Sequence, residues 1–466
     1  MHTLELLRTG KLTGVQRLQL ACGLTEFPTE IFDLAETLEI LDLSGNKLSS
    51  LPDDLPRLHK LRIIFCSDNQ FTELPEVLGR CPQLSMIGFK ANRIVKVAAQ
   101  SLPAKLRWLV LTDNQIEELP AELGNCGQLQ KLMLAGNRLR ELPAELSTCT
   151  RLELLRISAN QLSELPDWLL ALPRLSWLAY AGNPYCEERE RAALADANIP
   201  LVAWDELQLH AQLGEGASGV IHRAQYGNAH ASRTVAVKIF KGEVTSDGLP
   251  RSEMAACIAA GEHANLIPIQ GKLRDHPQGA SGLLMPLIDP EFRNLAGPPS
   301  LASCTRDIYA AGTSFDPGTM LNIVQAIASA ATHLHRLGIM HGDLYGHNIL
   351  HCSQGRALLG DFGAASLFAV ESPHAHALQR LEVLAFGRLL EELTERCEAG
   401  LECHFILERL ADLKTACLNE DIECRPLFAD IDRMLSELAD LYQDKVLALS
   451  MQNSRGEELE QTRAII

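Results

Sequence analysis

The sequence predicts an α/β solenoid of short repeats followed by a separate α+β domain. The first observation is a regular spacing of asparagines, which recur in steps of 23, 23, 22, 23, 23 and 23 residues at Asn46, Asn69, Asn92, Asn114, Asn137, Asn160 and Asn183. The second is that this period stops near residue 185, beyond which glycine-rich, strand-like and helix-like segments follow without a repeat. A length of 466 residues is enough for two or three domains of about 150 residues each.

Each repeat contains one short strand and one turn. In LEILDLSGNKLSSLPDDLPRL, residues 38–58, we expect the strand leucines to point inward and Asn46 to stand at the turn. The same frame returns in LRWLVLTDNQIEELP and LQKLMLAGNRLRELP, and a weaker copy begins near Val15 with Gly23 in the asparagine position. This frame resembles the leucine-rich repeat. The resemblance implies a solenoid of about eight repeats over residues 1–185, whose neighbouring repeats stack to form the core.

The residues between the inward leucines face the concave side of such an array, because successive side chains of a strand alternate. They form one column of Ile40, Ile63, Met86, Trp108, Lys131, Leu154 and Trp177. A second column contains Asp42, Phe65, Gly88, Val110, Met133, Arg156 and Ala179. Large apolar patches usually mark contact surfaces, so we predict that a protein partner binds at Ile63, Phe65, Met86, Trp108, Met133, Leu154 and Trp177. The alternative is a groove covered by the chain's own second domain or by a dimer mate.

Composition narrows the class of protein. The formal net charge of -17 argues against a general nucleic-acid binder, because phosphate contacts need clustered Lys and Arg. The 13 cysteines include no CxxC pair and no Cys/His cluster at metal spacing, which suits a reducing compartment. The chain has neither the apolar region of a signal peptide nor an apolar run of about 18 residues. We therefore expect a cytoplasmic protein without a membrane span.

The second domain begins after a cap or linker at residues 186–206. In LGEGASGV, residues 213–220, three glycines would let backbone amides approach phosphate groups. This stretch is followed by VAVK, in which alternating residues lead to Lys238 as in a strand. A dinucleotide-binding turn would open directly into a helix instead. The pairing of a glycine-rich turn with VAVK resembles the protein kinase fold.

Further phrases follow in the order that protein kinases have. They are RSEMAACIAA with Glu253, GLLMPLI at 282–288, HGDLYGHN at 341–348, DFG at 361–363 and CLNEDIECRP at 417–426. The resemblance gives the complete fold class, which is an α/β leucine-rich repeat solenoid followed by a bilobal α+β protein-kinase-like domain. That domain is expected to cover residues 207–445, before a polar C-terminal tail at 446–466.

The resemblance also implies ATP and Mg²⁺ as cofactors and assigns roles to individual residues. Asp343 would accept the proton of the substrate hydroxyl, and Lys238, paired with Glu253 or alternatively with Glu262, would contact the phosphates. Asn348 and Asp361 would hold the metal. The implied nucleotide-binding residues are Gly214, Gly216, Gly219, Val220, Ala236, Lys238, Glu253, Met285 and Leu287.

Several positions depart from the kinase pattern. Gly342 replaces an Arg that often receives an activation-loop phosphate, and Tyr345 replaces the Lys that steadies the phosphoryl group in serine/threonine kinases. His347 stands where tyrosine kinases can carry an Arg. In kinases the residue at the Arg425 position normally pairs with the Glu of an APE motif. No APE motif is legible in this sequence, although Glu371 could serve as that partner. Loss of one preorganised donor costs roughly 100- to 1,000-fold in rate, which predicts a slow enzyme.

The sequence therefore predicts a protein kinase, with serine or threonine as the default acceptor and tyrosine or dual specificity left open. Two alternatives remain. HGDLxxxN also resembles small-molecule phosphotransferases of the aminoglycoside and choline kinase type. A scaffold that binds nucleotide without turnover is the other possibility.

Overall fold

A computed structural model describes residues 3–445 except 197, 229–230, 243 and 399–403. The predicted polar tail at 446–466 lies outside the described residues, and the domain boundaries stay a prediction. Within these ranges, no helix combines the length and the apolar character that crossing a bilayer requires.

The N-terminal part contains an eight-stranded parallel sheet in which every strand pairs with the next strand along the chain. Its strands are three residues long: β1 (Arg17–Gln19), β2 (Ile40–Asp42), β3 (Ile63–Phe65), β4 (Met86–Gly88), β5 (Trp108–Val110), β6 (Lys131–Met133), β7 (Leu154–Arg156) and β8 (Trp177–Ala179). The central leucines, such as Leu41 and Leu109, are fully buried in one continuous core.

The repeating asparagines join neighbouring repeats. Asn46 accepts a hydrogen bond from the Leu24 amide at 2.9 Å and donates to the carbonyls of Leu20 and Leu43 at 2.7 and 2.8 Å. Asn69 makes the equivalent bonds one repeat later. A buried amide side chain is tolerated only when it is hydrogen-bonded, and this requirement explains why the residue returns at a fixed period.

The sheet register aligns both predicted columns. Ile40 pairs with Ile63, and the ladder continues in the same register to Trp177. The second column ends with Met133 beside Arg156 and Arg156 beside Ala179. Side chains of each column therefore lie next to one another on the same face of the sheet.

The segment after the sheet connects it to the second half of the chain. The helices so far are α1 (Leu4–Arg8), α2 (Asp167–Leu170) and α3 (Glu187–Leu194). The next six strands are β9 (Leu201–Ala203), β10 (Leu207–Glu215), β11 (Gly219–Asn228), β12 (Ala231–Phe240), β13 (Gly271–Arg274) and β14 (Gly282–Pro286). They form a six-stranded sheet whose order is β10-β11-β12-β14-β13-β9. The predicted linker thus supplies an edge strand to the next sheet.

Helices dominate the C-terminal part. They are α4 (Pro250–Ala260), α5 (Pro317–Arg336), α6 (Ala375–Thr394), α7 (His404–Cys417) and α8 (428–445). Helix α5 begins at Asp316, whose carboxylate accepts from the Thr319 amide at 2.9 Å, and Pro317 occupies its first turn. Short strands lie between the helices: β15 (Arg293–Asn294), β16 (Ile339–Met340), β17 (Ile349–His351), β18 (Ala357–Leu359) and β19 (Ser366–Leu367).

The two halves share a hydrophobic core. Met133, Leu154 and Trp177 of the first sheet are buried in the same cluster as residues of α5, α6 and α8. Three of the seven residues predicted to bind a partner are therefore covered by the chain's own second half. This is the alternative arrangement that the sequence left open, and it applies to the C-terminal end of this face of the sheet.

Candidate active site

A cavity of about 720 Å³ lies between the six-stranded sheet and the helical part. Most of the residues predicted to bind nucleotide line it: Gly214, Gly216, Gly219, Ala236, Lys238, Glu253, Met285 and Leu287. Asp361 lines it as well. Val220 follows Gly219 on β11, but its side chain is not part of this lining.

The glycine-rich turn connects β10 and β11, which pair antiparallel. The Gly216 amide donates to the Gly219 carbonyl at 2.9 Å and closes the turn. A Cβ atom at Gly219 would lie 2.6 Å from the carbonyl oxygen of Ile239 on β12, so only glycine fits at this position. The turn thus keeps its backbone close to β12, and its glycines line the cavity.

Lys238 on β12 forms an ion pair with Glu253 on α4. The pair is largely buried, with side-chain exposures of 16% and 3%. Burial disfavours the charged ammonium, but the Glu253 carboxylate outweighs this effect and raises the pKa of Lys238 above its usual value. Glu262, the alternative partner, lies beyond the end of α4 and is exposed. The fold therefore selects Glu253.

The far wall of the cavity is the end of β14. Met285 pairs with Ala236 across β12 and β14, and Pro286, Leu287 and Ile288 continue the lining. Pro286 has no N–H to donate, so the Leu287 backbone is the nearer donor for a polar edge of a bound base.

Asp343 and Asn348 lie in one loop beside the cavity. Asn348 donates its side-chain amide to both the carboxylate and the carbonyl of Asp343, at 2.8 and 2.9 Å. The Gly360 amide donates to the Asn348 carbonyl at 2.9 Å and places Asp361 next to this loop. Asp361 has a left-handed backbone conformation, with φ of 54°, and its carboxylate accepts from the Gly363 amide at 3.1 Å.

The cation that pairs with Asp343 comes from the first sheet. Arg156 on β7 forms ion pairs with Asp343 and with Asp247, the latter at 2.7 Å, and donates to the Gly342 carbonyl at 3.1 Å. Burial opposes the charge on Arg156, but both carboxylates raise its pKa. Burial raises the pKa of Asp343, and Arg156 counteracts that rise.

Gly342 is explained by the same contact. Its φ is 73°, and a Cβ atom would lie 2.6 Å from the carbonyl oxygens of both Leu178 and Ala364. No side chain fits between the first sheet and the segment after Asp361. The absence of the Arg that kinases often have here thus follows from the packing of the two halves.

Tyr345, which stands in place of a kinase Lys, is buried under Trp177. The two rings stack with centroids 4.2 Å apart and planes 7° apart. The Trp177 indole N–H also donates to the Leu344 carbonyl at 3.1 Å. His347 lies beside Tyr345, with ring centroids 5.0 Å apart, and hydrogen-bonds to the buried Asp307 at 2.7 Å. Burial opposes protonation of His347, but the bond to Asp307 raises its pKa.

Arg425 does not make the carboxylate pair that its motif suggests. Its guanidinium donates to the backbone carbonyls of Asn419, Arg380 and Pro173, and burial lowers its pKa to about 10. Glu371, the suggested partner, is exposed. The expected pair is therefore replaced by carbonyl contacts, one of them to the loop before β8.

Sequence reasoning did not find the roles of Arg156, Asp247 and Asp307. Arg156 had one visible signal, because it is a cation in an otherwise mostly apolar column. Asp247 and Asp307 lie in loops without periodicity, and their partners are distant in sequence.

The residues present fit a Mg²⁺-nucleotide. The described part of the chain contains no cluster of three His, Cys, Asp or Glu that would hold a metal by itself. Mg²⁺ at phosphate sites needs only one or two protein ligands, because substrate phosphates and water supply the others. Asp361 at the cavity wall and Asn348 beside it are oxygen ligands of the required kind.

Comparisons with known proteins agree with this geometry. The family described as protein kinase domain matches residues 207–381, and that described as leucine-rich repeat matches residues 37–58. Cyclin-dependent kinase 11.1 of Caenorhabditis elegans is 25% identical over 164 residues, which is 34% of this chain and 21% of that protein.

Two other relatives are similar to a comparable degree. Serine/threonine-protein kinase PITSLRE of Drosophila melanogaster is 25% identical over 163 residues, covering 34% of this chain and 16% of that protein. CBL-interacting protein kinase 22 of Oryza sativa subsp. japonica is 28% identical over 213 residues, covering 44% and 46%. The chain spans about a fifth of the length of the first two relatives. The chain thus joins a leucine-rich repeat at residues 37–58 to a protein kinase domain at residues 207–381.

Proposed function

We propose that this chain is an ATP-dependent protein kinase that transfers the γ-phosphoryl group of Mg-ATP to a protein hydroxyl, by default that of serine or threonine. The observation that carries the proposal is the convergence of four side chains on one cavity. Lys238, already paired with Glu253, and Asp361 line the cavity, while Asp343 and Asn348 are hydrogen-bonded to each other beside it.

Each of these residues has a task that follows from its contacts. Glu253 holds the Lys238 ammonium in place, so that its charge faces the cavity where phosphates would lie. Bound Mg²⁺ would neutralise phosphate charge, with Asp361 and Asn348 as its protein ligands. Asn348 also orients Asp343, whose carboxylate would accept the proton of the attacking hydroxyl.

A small-molecule phosphotransferase is the second candidate, and one observation favours it. The Asp343 side chain is only 18% exposed, because β7 and β8 pack over residues 341–348, which we call the catalytic loop. A compact acceptor would reach this carboxylate more easily than a folded protein would. The nucleotide part of the site is the same under both proposals.

The transfer assay uses labelled ATP with separate mixtures of proteins and of small hydroxyl compounds. We expect label in protein, and a loss of about 100-fold or more on Asp343→Ala because the proton acceptor is removed. Lys238→Met should be similarly impaired, whereas Asp430→Ala, which alters an exposed carboxylate, should match the unaltered chain.

Label only in small molecules would favour the second candidate. Thermal stabilisation by ATP without any transfer would favour a nucleotide-binding scaffold and would contradict both enzyme proposals.

We also propose that the repeats form a solenoid whose remaining concave face binds a partner or substrate protein. Ile63, Phe65, Met86 and Trp108 belong to repeats N-terminal to the three residues that pack on the second half. Phe65 and Trp108 are partly exposed there, whereas Ile63 and Met86 are each only 3% exposed. If this face presents the substrate, Trp108→Glu should raise the KM for the protein substrate and leave the KM for ATP unchanged. A parallel change in both constants would contradict this role.

A cytoplasmic location is proposed as well, because buried single thiols such as Cys66 and Cys149 suit a reducing compartment.

A further inference from the structure

Arg156 is the most completely buried cation at the junction of the two halves. Its side chain is 2% exposed, and it projects from β7, within a column whose neighbours on either side are Met133 and Ala179. An arginine is rarely buried unless its charge is paired and hydrogen-bonded. Its presence there therefore calls for a compensating site on the opposite surface.

That site is built from three oxygen groups of the kinase domain. The guanidinium reaches Asp247 through Nε at 2.7 Å, the Gly342 carbonyl through one terminal nitrogen at 3.1 Å, and the Asp343 carboxylate through the other. The planar fork of an arginine fixes both direction and distance of its partners, which a lysine cannot do. These contacts therefore orient the Asp343 side chain and its preceding peptide together.

The two oxygens of Asp343 are held by different elements. Oδ1 accepts from Arg156, and Oδ2 accepts from the Asn348 side chain at 2.8 Å. His347 of the same loop hydrogen-bonds to Asp307 at 2.7 Å and does not hold the Asp343 carboxylate. The rotation of the carboxylate is thus determined jointly by its own loop and by the repeat region.

Neighbouring contacts keep the loop from moving away from Arg156. Trp177, on the adjacent strand β8, donates to the Leu344 carbonyl and stacks on Tyr345. Asp247, the other carboxylate on Arg156, also lines the nucleotide cavity. Arg156 thus links the catalytic loop to the segment that precedes α4, the helix carrying Glu253.

We propose that Arg156 is a positioning residue of the phosphotransfer site, supplied by the leucine-rich repeats, and that the kinase domain is catalytically complete only with the repeats docked. The inference deepens the proposed function and rests on it. It assigns to the repeats a direct part in the geometry of Asp343, in addition to any binding of partners.

The test measures kcat, the KM for ATP and the dissociation constant for ADP for the full chain and its variants. Arg156→Met should lower kcat about 100-fold, since misplacement of a reacting group by about 1 Å has that effect. ADP affinity and the KM for ATP should change much less than kcat, because Lys238, Glu253 and Asp361 are untouched and, of the cavity lining, only Asp247 loses its contact with Arg156. Arg156→Lys should recover part of kcat.

Two further variants guard against a trivial loss of structure. Arg156→Met leaves the carboxylates of Asp247 and Asp343 without their cation. The double variant Arg156→Met/Asp247→Asn removes one of these two unpaired charges, so it should fold while keeping the low kcat. In Arg156→Ala, added guanidinium ion should restore part of kcat. Arg138→Met, which removes an exposed arginine of the preceding repeat, is the matched control and should match the unaltered chain.

The outcomes separate this inference from the proposed function. No transfer by the unaltered chain overturns the proposed function. Transfer that Arg156→Met leaves unchanged or raises overturns the inference alone, and a rise would mean that the repeats inhibit the site. A loss of ADP affinity as large as the loss of kcat, without rescue by Arg156→Lys or guanidinium, would reduce Arg156 to a structural contact and would also overturn it.

Discussion

Single residues at the catalytic loop are constrained from two sides. Gly342 lies between the Leu178 carbonyl of β8 and the Ala364 carbonyl that follows Asp361, with a positive φ. Asp343 and Leu344 are then fixed by Arg156 and Trp177. Two departures from the kinase pattern at this loop, Gly342 and Tyr345, therefore share a cause, which is contact with the repeats.

Gly342→Ala is expected to destabilise the folded chain by at least about 2 kcal/mol, because it combines a strained backbone conformation with overpacking. The measurement is the free energy of unfolding from urea titration. Gly127→Ala serves as the control, since Gly127 has open space around its Cβ position, and it should stay within about 0.5 kcal/mol. Equal stability of both variants would contradict the packing described here.

At the scale of elements, helix α6 supports the catalytic loop from below. Its Glu382 is fully buried and accepts from the amides of His341 and Gly342 at 3.2 and 2.7 Å, while His335 of α5 lies 2.7 Å from the same carboxylate. The Glu382 side chain spans from the helix to two consecutive backbone amides. Burial opposes the charge, but His335 and these hydrogen bonds lower the pKa of Glu382.

A lowered pKa in the folded state means that Glu382 stabilises the fold above its unfolded pKa of about 4.3 and loses this contribution as pH falls below that value. Glu382→Gln should therefore cost about 2–3 kcal/mol at pH 7. The difference from the unaltered chain should shrink towards pH 3, which unfolding titrations at several pH values can measure. A difference that is constant with pH would contradict the charged state of Glu382.

Helix α4 depends on an element outside its own domain. Glu190 of α3 accepts from the Gly182 amide at 2.7 Å and from the Ser252 hydroxyl on α4 at 2.8 Å. The end of the repeat region, α3 and α4 are thus joined through one carboxylate. Since α4 carries Glu253, the position of the Lys238 partner is connected to the repeats by this route as well as through Asp247.

At the scale of the whole molecule, the repeats contact both parts that surround the cavity. They reach the loop before α4 through Asp247, the catalytic loop through Asp343, and the segment before α8 through the contact of Arg425 with the Pro173 carbonyl. The shared core around Trp177 adds an apolar contribution. We therefore expect the two halves to unfold together.

Trp177→Ala should remove about 3–5 kcal/mol of stability, because it deletes a buried aromatic side chain and the stacking of that side chain on Tyr345. Calorimetry should record one transition for the unaltered chain and two for this variant. Trp168→Ala removes a ring that packs against the repeat core and should keep a single transition. Two transitions in the unaltered chain would contradict the shared core.

The sequence by itself determined the local features of this protein. Strand periodicity identified two columns whose members lie side by side on one face of the sheet, and the order of short motifs identified Lys238, Glu253, Asp343, Asn348 and Asp361 as neighbours of one cavity. Such features are encoded by alternation of side chains and by spacing within one segment. The choice between Glu253 and Glu262, in contrast, was left to the structure, because it depends on where α4 ends.

Only the tertiary structure decided what covers the C-terminal end of the first sheet and what holds Asp343. Arg156 and Asp343 are 187 positions apart, and Trp177 and Leu344 are 167 apart. No periodicity within either segment specifies such contacts, because they arise when two preformed surfaces dock and exclude water between them. The apolar column that predicts a partner surface is chemically the same whether that partner is another protein or the other half of the same chain.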